Sequence, residues 1–240
     1  VTIKFCRVVF NTKKGIVIKK AAQVIIEDTT CSDNGDHGMR LEADGSLVSI
    51  TRCIMQRNKD GMHVHPKSNN PQLTITLLNC LLSDNREEGI QNHAKNPIVI
   101  VNHCTVVNNG SHGFDFSNGT GWVKNTIMAF NGGYGLMGGG SGSGDYNLLY
   151  GNTSGSTFNF TAGSNDVNSD PEFYGGGDYH INYISLAIDA GTGDIFDDLE
   201  GATRCGPAVD IGCYEPPIQT FHVRKRVNDA NHGLSPAQTG

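Results

Sequence analysis

The stretch that decides the fold runs from Val48 to Leu73 and reads VSITRCIMQRNKDGMHVHPKSNNPQL. It contains two short segments of alternating apolar residues, then Asn58, then Gly61 and a third alternating segment. Residues two apart lie on the same face of a strand, so the stretch predicts three short strands with their apolar side chains on one side. A polar turn closes the unit, and the same pattern begins again.

The unit recurs along the first part of the chain. Six copies align on an asparagine, at Asn11, Asn34, Asn58, Asn85, Asn109 and Asn131, and Asn152 marks a weaker seventh. A repeat of this length is typical of a solenoid, because one unit cannot bury its apolar face alone. Leucine-rich repeats have a similar period, but their leucine framework is absent.

The columns of equivalent residues predict an all-β fold, namely a right-handed parallel β-helix. We expect three short strands per coil, about six to seven coils and an irregular C-terminal closing region. Equivalent residues of neighbouring coils then stack about 4.8 Å apart. The inward columns include Val24, Val48, Ile75 and Val99; Ile26, Ile50, Leu77 and Val101; and Met39, Met62, Ile90 and Phe114.

The corners and the cysteines carry further expectations. Each repeated Asn is expected to adopt left-handed backbone angles at a corner and to hydrogen-bond along the axis. The Gly beside each corner is expected to supply a conformation closed to other residues. Five cysteines fall in inward columns, at Cys6, Cys31, Cys53, Cys80 and Cys104, and Cys205 and Cys213 are close enough in sequence to form a disulfide.

Composition excludes several classes of function. The 240 residues include 31 Gly, only 18% are charged, and the net charge is −6. Without a basic block we expect no nucleic-acid partner, and no apolar run approaches membrane-spanning length. Because Val1 falls inside a coil and β-helices normally cap their first coil, we expect the natural chain to begin earlier.

The chain divides into three parts by pattern. Residues 1–144 are regular coils, residues 145–215 form a closing region, and residues 216–240 are a linker or tail. The closing region reads NLLYGN, DPEF, DYHI, SLAIDAG and VDIGCYE in order. This ending resembles that of bacterial secreted β-helix repeat proteins of the choice-of-anchor Q group. The tail sequence NDANHGLSPAQTG is similar to the opening of many β-helix domains in that group, so the tail is predicted either to begin a further domain or to be a disordered polar segment.

The resemblance implies a β-helix of the pectate-lyase-like superfamily, exported to the cell surface or beyond. That superfamily includes polysaccharide lyases, uronan epimerases, glycoside hydrolases and members without established activity. Fold alone therefore does not decide function.

The third strand predicts a patch of exposed polar residues on the middle coils. Residues two and four after each Gly should point outward, which places on one face Arg40, Glu42, His63, His65, Gln91, His93, Asp115 and Ser117. His65 and His93 should be neighbours on adjacent coils. This placement assumes no bulge near Asn92, whose inward position is unusual for an amide.

Three interpretations of the patch are open. In the first, His63 or His65 is a base that removes a proton beside a uronate carboxylate, Arg40 or Lys95 neutralises that carboxylate, and His93 protonates the leaving oxygen. Glu42, Gln91, Lys95 and Ser117 would then bind substrate. In the second, His63, His65, His93 and Asp115 surround a transition metal. In the third, the patch is a solvated sheet face.

A second column lies directly before each Gly and forms an acidic rim. It comprises Lys14, His37, Asp60, Glu88, His112 and Tyr134, with Asp33, Asp36, Asp84 and Glu87 nearby. Carboxylates and carbonyls of this kind bind Ca²⁺, although charged residues are also common at exposed corners. The sequence requires neither Ca²⁺ nor a transition metal.

Two classes of function remain. The leading prediction is an extracellular carbohydrate-active protein, a lyase or epimerase of an anionic polysaccharide. The alternative is a non-catalytic surface, adhesion or structural segment of a larger secreted protein.

Overall fold

The computed structural model describes residues 1–67, 72–139, 141–193 and 195–216 and shows the predicted parallel β-helix. Seven turns build three parallel seven-stranded sheets, so the predicted fold class and coil number are confirmed. No helix in these ranges is long and apolar enough to cross a membrane. The tail after residue 216, with its predicted further domain, lies outside the described residues.

Each turn contributes three strands, and every third strand joins the same sheet. In chain order these are β1 (Thr2–Lys4), β2 (Arg7–Val9), β3 (Ile16–Ile18), β4 (Gln23–Glu27), β5 (Thr30–Ser32), β6 (Met39–Leu41), β7 (Leu47–Thr51), β8 (Ile54–Gln56), β9 (Met62–Val64), β10 (Thr74–Leu78), β11 (Leu81–Ser83), β12 (Ile90–Asn92), β13 (Ile98–Asn102), β14 (Thr105–Val107), β15 (Phe114–Phe116), β16 (Thr120–Lys124), β17 (Ile127–Ala129), β18 (Tyr134–Gly138), β19 (Ser141–Asp145), β20 (Leu148–Tyr150) and β21 (Gly155–Phe158). The first sheet begins with β1, the second with β2 and the third with β3.

The core runs along the axis as the inward columns predict. In the first sheet Ile50 pairs with Leu77, and Leu77 pairs with Val101, so equivalent residues stack without slippage. All three side chains are fully buried. One continuous apolar cluster extends through the turns from Ile16 to Leu149. Burial of this shared column is the main force that holds the turns together.

The repeated asparagines form a continuous ladder at the corner between the second and third sheets. Asn85 Nδ2 donates to Asn109 Oδ1 at 2.9 Å, and Asn109 Nδ2 donates to Asn131 Oδ1 at 2.9 Å. Asn152 continues the ladder as a full member, since its Oδ1 accepts from Asn131 at 2.8 Å. The prediction that each Asn has left-handed backbone angles is wrong. The residue before each Asn has them instead, as Asp84 does with φ 57°.

The glycines before the third strand serve a purpose different from the predicted one. Gly113 has no positive φ, but a Cβ there would lie 2.6 Å from the carbonyl oxygen of Gly135 and 3.0 Å from Nδ2 of Asn131. The backbones of adjacent turns therefore approach too closely for any side chain. Steric closeness, rather than backbone angle, requires Gly at this column.

Two expectations about cysteine are corrected. Cys31, Cys53, Cys80 and Cys104 are buried as predicted, but Cys6 is exposed because it lies in the first turn, which has a neighbouring turn on one side only. Cys205 is exposed and Cys213 is buried, and both are free thiols, so the two do not form a disulfide.

After the seventh turn the chain folds back along the outer face of the second sheet. The antiparallel pair β22 (Phe173–Gly175) and β23 (Asp178–Ile181) begins this covering segment. Tyr179 packs with Leu81 and Val107, and its hydroxyl donates to Asp84 at 2.8 Å. Arg204, nearly fully buried, bonds Glu215 at 2.8 Å and Asn79 Oδ1 at 3.0 Å. Apolar contacts thus cover the outer face of the second sheet at Leu81 and Val107, unlike a sheet with a solvated side.

Candidate functional site

The outer face of the third sheet carries the polar column that strand phase predicts. Arg40 pairs with His63, His63 with Gln91, and Gln91 with Asp115 on successive turns. Arg40, His63 and Gln91 are half-buried, whereas Asp115 is almost fully covered. These four side chains therefore form one vertical row across four turns.

Asn92 keeps the register between β9 and β12, whereas the pairing of β12 with β15 ends one residue earlier, at Gln91. Asn92 pairs with Val64 without a bulge and points inward, where it is fully buried. Within the described residues neither its Oδ1 nor its Nδ2 has a hydrogen-bond partner. Gly119 leaves the space for this amide, because a Cβ there would lie 2.2 Å from its Nδ2. The Asn92 amide thus occupies an inward position, and its two buried polar atoms without hydrogen bonds lower the stability of the fold.

The corner column and the sheet column meet at a cluster of His37, Asp60 and His63. Asp60 Oδ2 lies 2.7 Å from Nδ1 of His37 and 3.3 Å from Nδ1 of His63. The two imidazole rings are tilted against each other with centroids 4.3 Å apart. Sequence reasoning treated His37 and Asp60 as part of a separate rim. The signal for their meeting is the three-residue spacing from Asp60 to His63 across the corner at Gly61.

Burial and contact shift the pKa values in this cluster. Burial alone would raise the pKa of Asp60, but the two adjacent imidazoles lower it well below its usual range. Burial lowers the pKa of His63 and outweighs the opposing contact with Asp60. Burial raises the pKa of Glu88, whose backbone N–H donates to Asp60 Oδ1 at 3.3 Å. The cluster therefore holds an ionised carboxylate at its centre.

A second group joins His93, Asp115 and Ser117. His93 Nε2 lies 2.7 Å from Asp115 Oδ2, and the Ser117 backbone N–H and hydroxyl both donate to Asp115 Oδ1. The hydrogen bond to Asp115 raises the pKa of His93. Burial would raise the pKa of Asp115, but the bonds from His93 and Ser117 lower it below its ordinary value. The contact therefore favours the protonated form of His93 and the ionised form of Asp115.

The remaining predicted residues border these groups. Arg40 Nε donates to Glu42 at 2.8 Å, and Arg40 Nη1 lies 3.4 Å from His37 Nε2. Gln91 Nε2 donates to Glu88 at 3.2 Å. Lys95 is exposed and makes no hydrogen bond or ion pair with any residue of the described ranges.

His65 is the most accessible imidazole beside the cluster. Its ring centroid lies 5.5 Å from that of His63, and the residue is exposed. Val64 pairs with Asn92, and the next residues, His65 and His93, lie beyond the last paired positions of β9 and β12 and are both exposed. The His93 imidazole is turned toward Asp115 of the following turn, whereas His65 belongs to the preceding turn.

The groups of close metal-ligating atoms differ from the set that the sequence suggested. Within the described residues these groups are His37, Asp60 and His63, and Asp60, Glu87 and Glu88. Neither group includes His65, His93 or Asp115, because His93 is turned toward Asp115. The residues able to share one metal ion are accordingly at the corner and not along the strand ends.

A groove of about 980 Å³ opens at one end of this face. Its lining includes Lys19, Lys20, Lys67 and Glu42. Lys19 follows β3 and Glu42 follows β6, which pair in register, so the groove continues the row that leads to His65. Asp44 also lines the groove, and Lys67 Nζ lies 3.9 Å from Glu42, so the three lysines exceed the two carboxylates by one charge, which is suited to an anionic chain.

Comparisons with known proteins agree with this architecture. Residues 1–102 match a family model described as a right handed beta helix region. A solved structure described as pectate lyase Pel9A is similar, with a TM-score of 0.52 and 14% identity over 86% of this chain and 69% of that chain. None of the curated proteins matches this sequence significantly. At 14% identity the likeness to the solved structure shows the fold. The family model matches only residues 1–102, so the resemblance of the C-terminal ending to the choice-of-anchor Q group stays a prediction.

Proposed function

We propose that this right-handed parallel β-helix repeat protein is an extracellular enzyme that acts on an anionic polysaccharide as a lyase or epimerase. The observation that supports it is the pair of exposed imidazoles of His65 and His93, which follow the paired strands β9 and β12 of adjacent turns. A proton acceptor and a proton donor on adjacent turns can both contact one bound polysaccharide chain. The lysine-lined groove at the end of the face adds affinity for negative charge.

The reaction begins with removal of a proton from the carbon next to a uronate carboxylate. His65 accepts this proton because its ring is exposed, whereas His63 keeps only 16% of its side chain in solvent. Arg40 neutralises the carboxylate, on which negative charge develops. In a lyase the electron pair forms a carbon–carbon double bond and the glycosidic oxygen leaves with a proton from His93. In an epimerase a proton returns to the opposite face of the same carbon.

His93 suits the acid role because Asp115 favours its protonated form. The hydrogen bond between them raises the pKa of His93 and so favours the proton-donating form of the ring. Ser117 fixes Asp115 from the other side. In this proposal Gln91, in the outward row beside His63, and the exposed Lys95 bind sugar hydroxyl and carboxylate groups of the substrate.

One observation favours the non-catalytic alternative. Arg40 is paired with Glu42, and His93 is paired with Asp115, so much of the charge on the face is already neutralised within it. A face of this kind binds a polysaccharide without transforming it if the substrate does not displace these pairs. The alternative is a surface or adhesion segment that presents the same groove.

The test uses the full chain and a panel of uronans. Unsaturated products are followed by ultraviolet absorbance, and epimerisation by exchange of the sugar proton with deuterated solvent. We expect His65→Ala and His93→Gln each to lower kcat at least 100-fold, the usual size of a general acid or base contribution. His180→Gln, an imidazole on the covering segment, is the control and should keep the parent activity.

Two outcomes contradict the enzymatic proposal. If the parent binds a uronan but yields neither product nor exchange, the surface-segment alternative holds. If His65→Ala and His93→Gln turn over like the parent, the reaction takes place elsewhere on the molecule.

A further inference from the structure

The corner cluster of His37, Asp60 and His63 is separate from the two imidazoles assigned to proton transfer. Its three ligand-type atoms lie within 4.8 Å of one another. His37 and Asp60 are 3% and 0% exposed, whereas the His63 side chain keeps 16% of its surface in solvent. The cluster is therefore held rigidly by the solenoid but reachable from the open face.

The environment of the Nδ1 atom of His37 favours a bound cation. This atom is buried and has no hydrogen-bond partner in the described part of the chain, although Asp60 Oδ2 lies only 2.7 Å away. The ring nitrogen and the carboxylate are thus at ion-pair distance, although their geometry does not meet that of a hydrogen bond. Buried ring nitrogens are normally partnered, so a nitrogen in this position suits a cation shared with the carboxylate.

The types of donor atom select the class of cation. Two imidazole nitrogens and one carboxylate oxygen are typical ligands of Zn²⁺ and neighbouring divalent transition metals. Ca²⁺ prefers six or more oxygen ligands, which this cluster does not supply. Asp36 Oδ1 lies 3.1 Å from Nε2 of His37, behind the ring, in the position where a carboxylate commonly orients a metal-binding histidine.

We propose that His37, Asp60 and His63 bind one divalent transition-metal ion, with solvent reaching the remaining coordination position beside His63. The surrounding charges favour a cation. Glu87 and Glu88 place carboxylate oxygens within 4.8 Å of that of Asp60. Arg40 Nη1 lies 3.4 Å from His37 Nε2, and Arg40 is paired with Glu42 at 2.8 Å. This site was not assigned by any sequence motif, and it does not depend on activity toward a polysaccharide.

The first experiment measures metal binding directly on the full chain. Zn²⁺ is titrated by calorimetry after removal of metal with a chelator, and Co²⁺ is titrated while its visible absorption is recorded. We expect one ion per chain, a Co²⁺ spectrum of low coordination number and a rise in Tm with Zn²⁺ that is absent with Ca²⁺. Binding should also release protons, because the imidazoles bind metal in their neutral form.

Variants then assign the ligands. His63→Gln and Asp60→Asn should each weaken Zn²⁺ binding at least 100-fold and abolish the Tm shift. His112→Gln is the matched control, since His112 occupies the same corner column beside Gly113 but lies outside the cluster. It should bind Zn²⁺ like the parent. Circular dichroism of each metal-free variant shows whether the solenoid is intact. Because the His63 side chain is partly exposed, His63→Gln is expected to keep the parent fold.

Three outcomes overturn the proposal. One is a folded parent that binds neither Zn²⁺ nor Co²⁺ in stoichiometric amount. Another is a folded His63→Gln variant with the affinity of the parent. The third is tight binding of Ca²⁺ without binding of Zn²⁺, which would assign the ion to the carboxylates of Asp60, Glu87 and Glu88 instead.

Discussion

Removal of one interior asparagine should destabilise the whole solenoid, because the ladder residue connects three turns. In the parent, Asn85 Nδ2 donates to Asn109 Oδ1 at 2.9 Å and to the Met55 carbonyl at 3.1 Å. Its Oδ1 accepts from the backbone N–H of Asn58 at 2.9 Å and from Asn58 Nδ2 at 3.3 Å. Asn85→Ala removes all four bonds from a buried corner.

The magnitude follows from these four bonds. Each contributes about 1 kcal/mol net, which gives a loss of about 4 kcal/mol in the free energy of unfolding. The N–H of Asn58, left without its partner in a buried position, increases the loss further. Asn11→Ala, at the exposed end of the ladder, removes only the bond from Nδ2 to Asn34 Oδ1 and should cost about 1 kcal/mol or less.

Urea denaturation followed by circular dichroism measures both variants against the parent. We expect the midpoint to fall much further for Asn85→Ala than for Asn11→Ala, with the slope m unchanged in each. Equal losses in the two variants, or a loss below about 1 kcal/mol for Asn85→Ala, would show that the ladder does not hold the turns together.

Three further outcomes are expected. Val101→Asp should yield no soluble folded protein, because it buries a charge in the fully covered inward column. Ile100→Asp, on the outward side of the same strand, should fold. Soluble expression and circular dichroism compare the two variants. Burial lowers the pKa of His103 to about 3, so the unfolded chain binds a proton below pH 6.5 that the folded chain does not. The free energy of unfolding should therefore fall by about 1.4 kcal/mol per pH unit as pH drops from 6.5 toward 3. His103→Gln should remove this contribution when the free energy of unfolding is measured as a function of pH. Identical pH dependence in the parent and the variant would contradict the assignment. Gly113→Ala should cost about 3 kcal/mol in thermal unfolding because its Cβ would meet the Gly135 carbonyl at 2.6 Å, and a Tm equal to that of the parent would refute the steric reason.

The strand face of each candidate residue could be predicted from the sequence, because alternation along a short strand has only two phases. The row of Arg40, His63, Gln91 and Asp115 is therefore found where the pattern places it. The partners of these residues could not be predicted in the same way. His93 is bonded to Asp115, and His63 faces Asp60, because side-chain direction at a corner depends on the backbone angles of the turn.

The cysteines and glycines show the same division. Burial of Cys53, Cys80 and Cys104 follows from their repeated column. Exposure of Cys6 follows from its place in the first turn, which the column alone does not reveal. The sequence pattern predicts Gly at the corner. The structure shows that Gly113 is required there because the next turn approaches closely at Gly135, and this contact between turns cannot be read from one repeat.

The sequence by itself determined the parallel β-helix, its inward columns and its asparagine ladder, because each repeats a local pattern that only stacking of identical turns can satisfy. Only the tertiary structure decided which long-range contacts complete the molecule. The covering segment packs Tyr179 on the second sheet and bonds Arg204 to Asn79, residues that are 125 positions apart. Such contacts depend on the path of the chain after the last turn, and a residue pattern within one unit carries no record of that path. The corner cluster of His37, Asp60 and His63 has the same origin, since its geometry exists only once neighbouring turns are stacked.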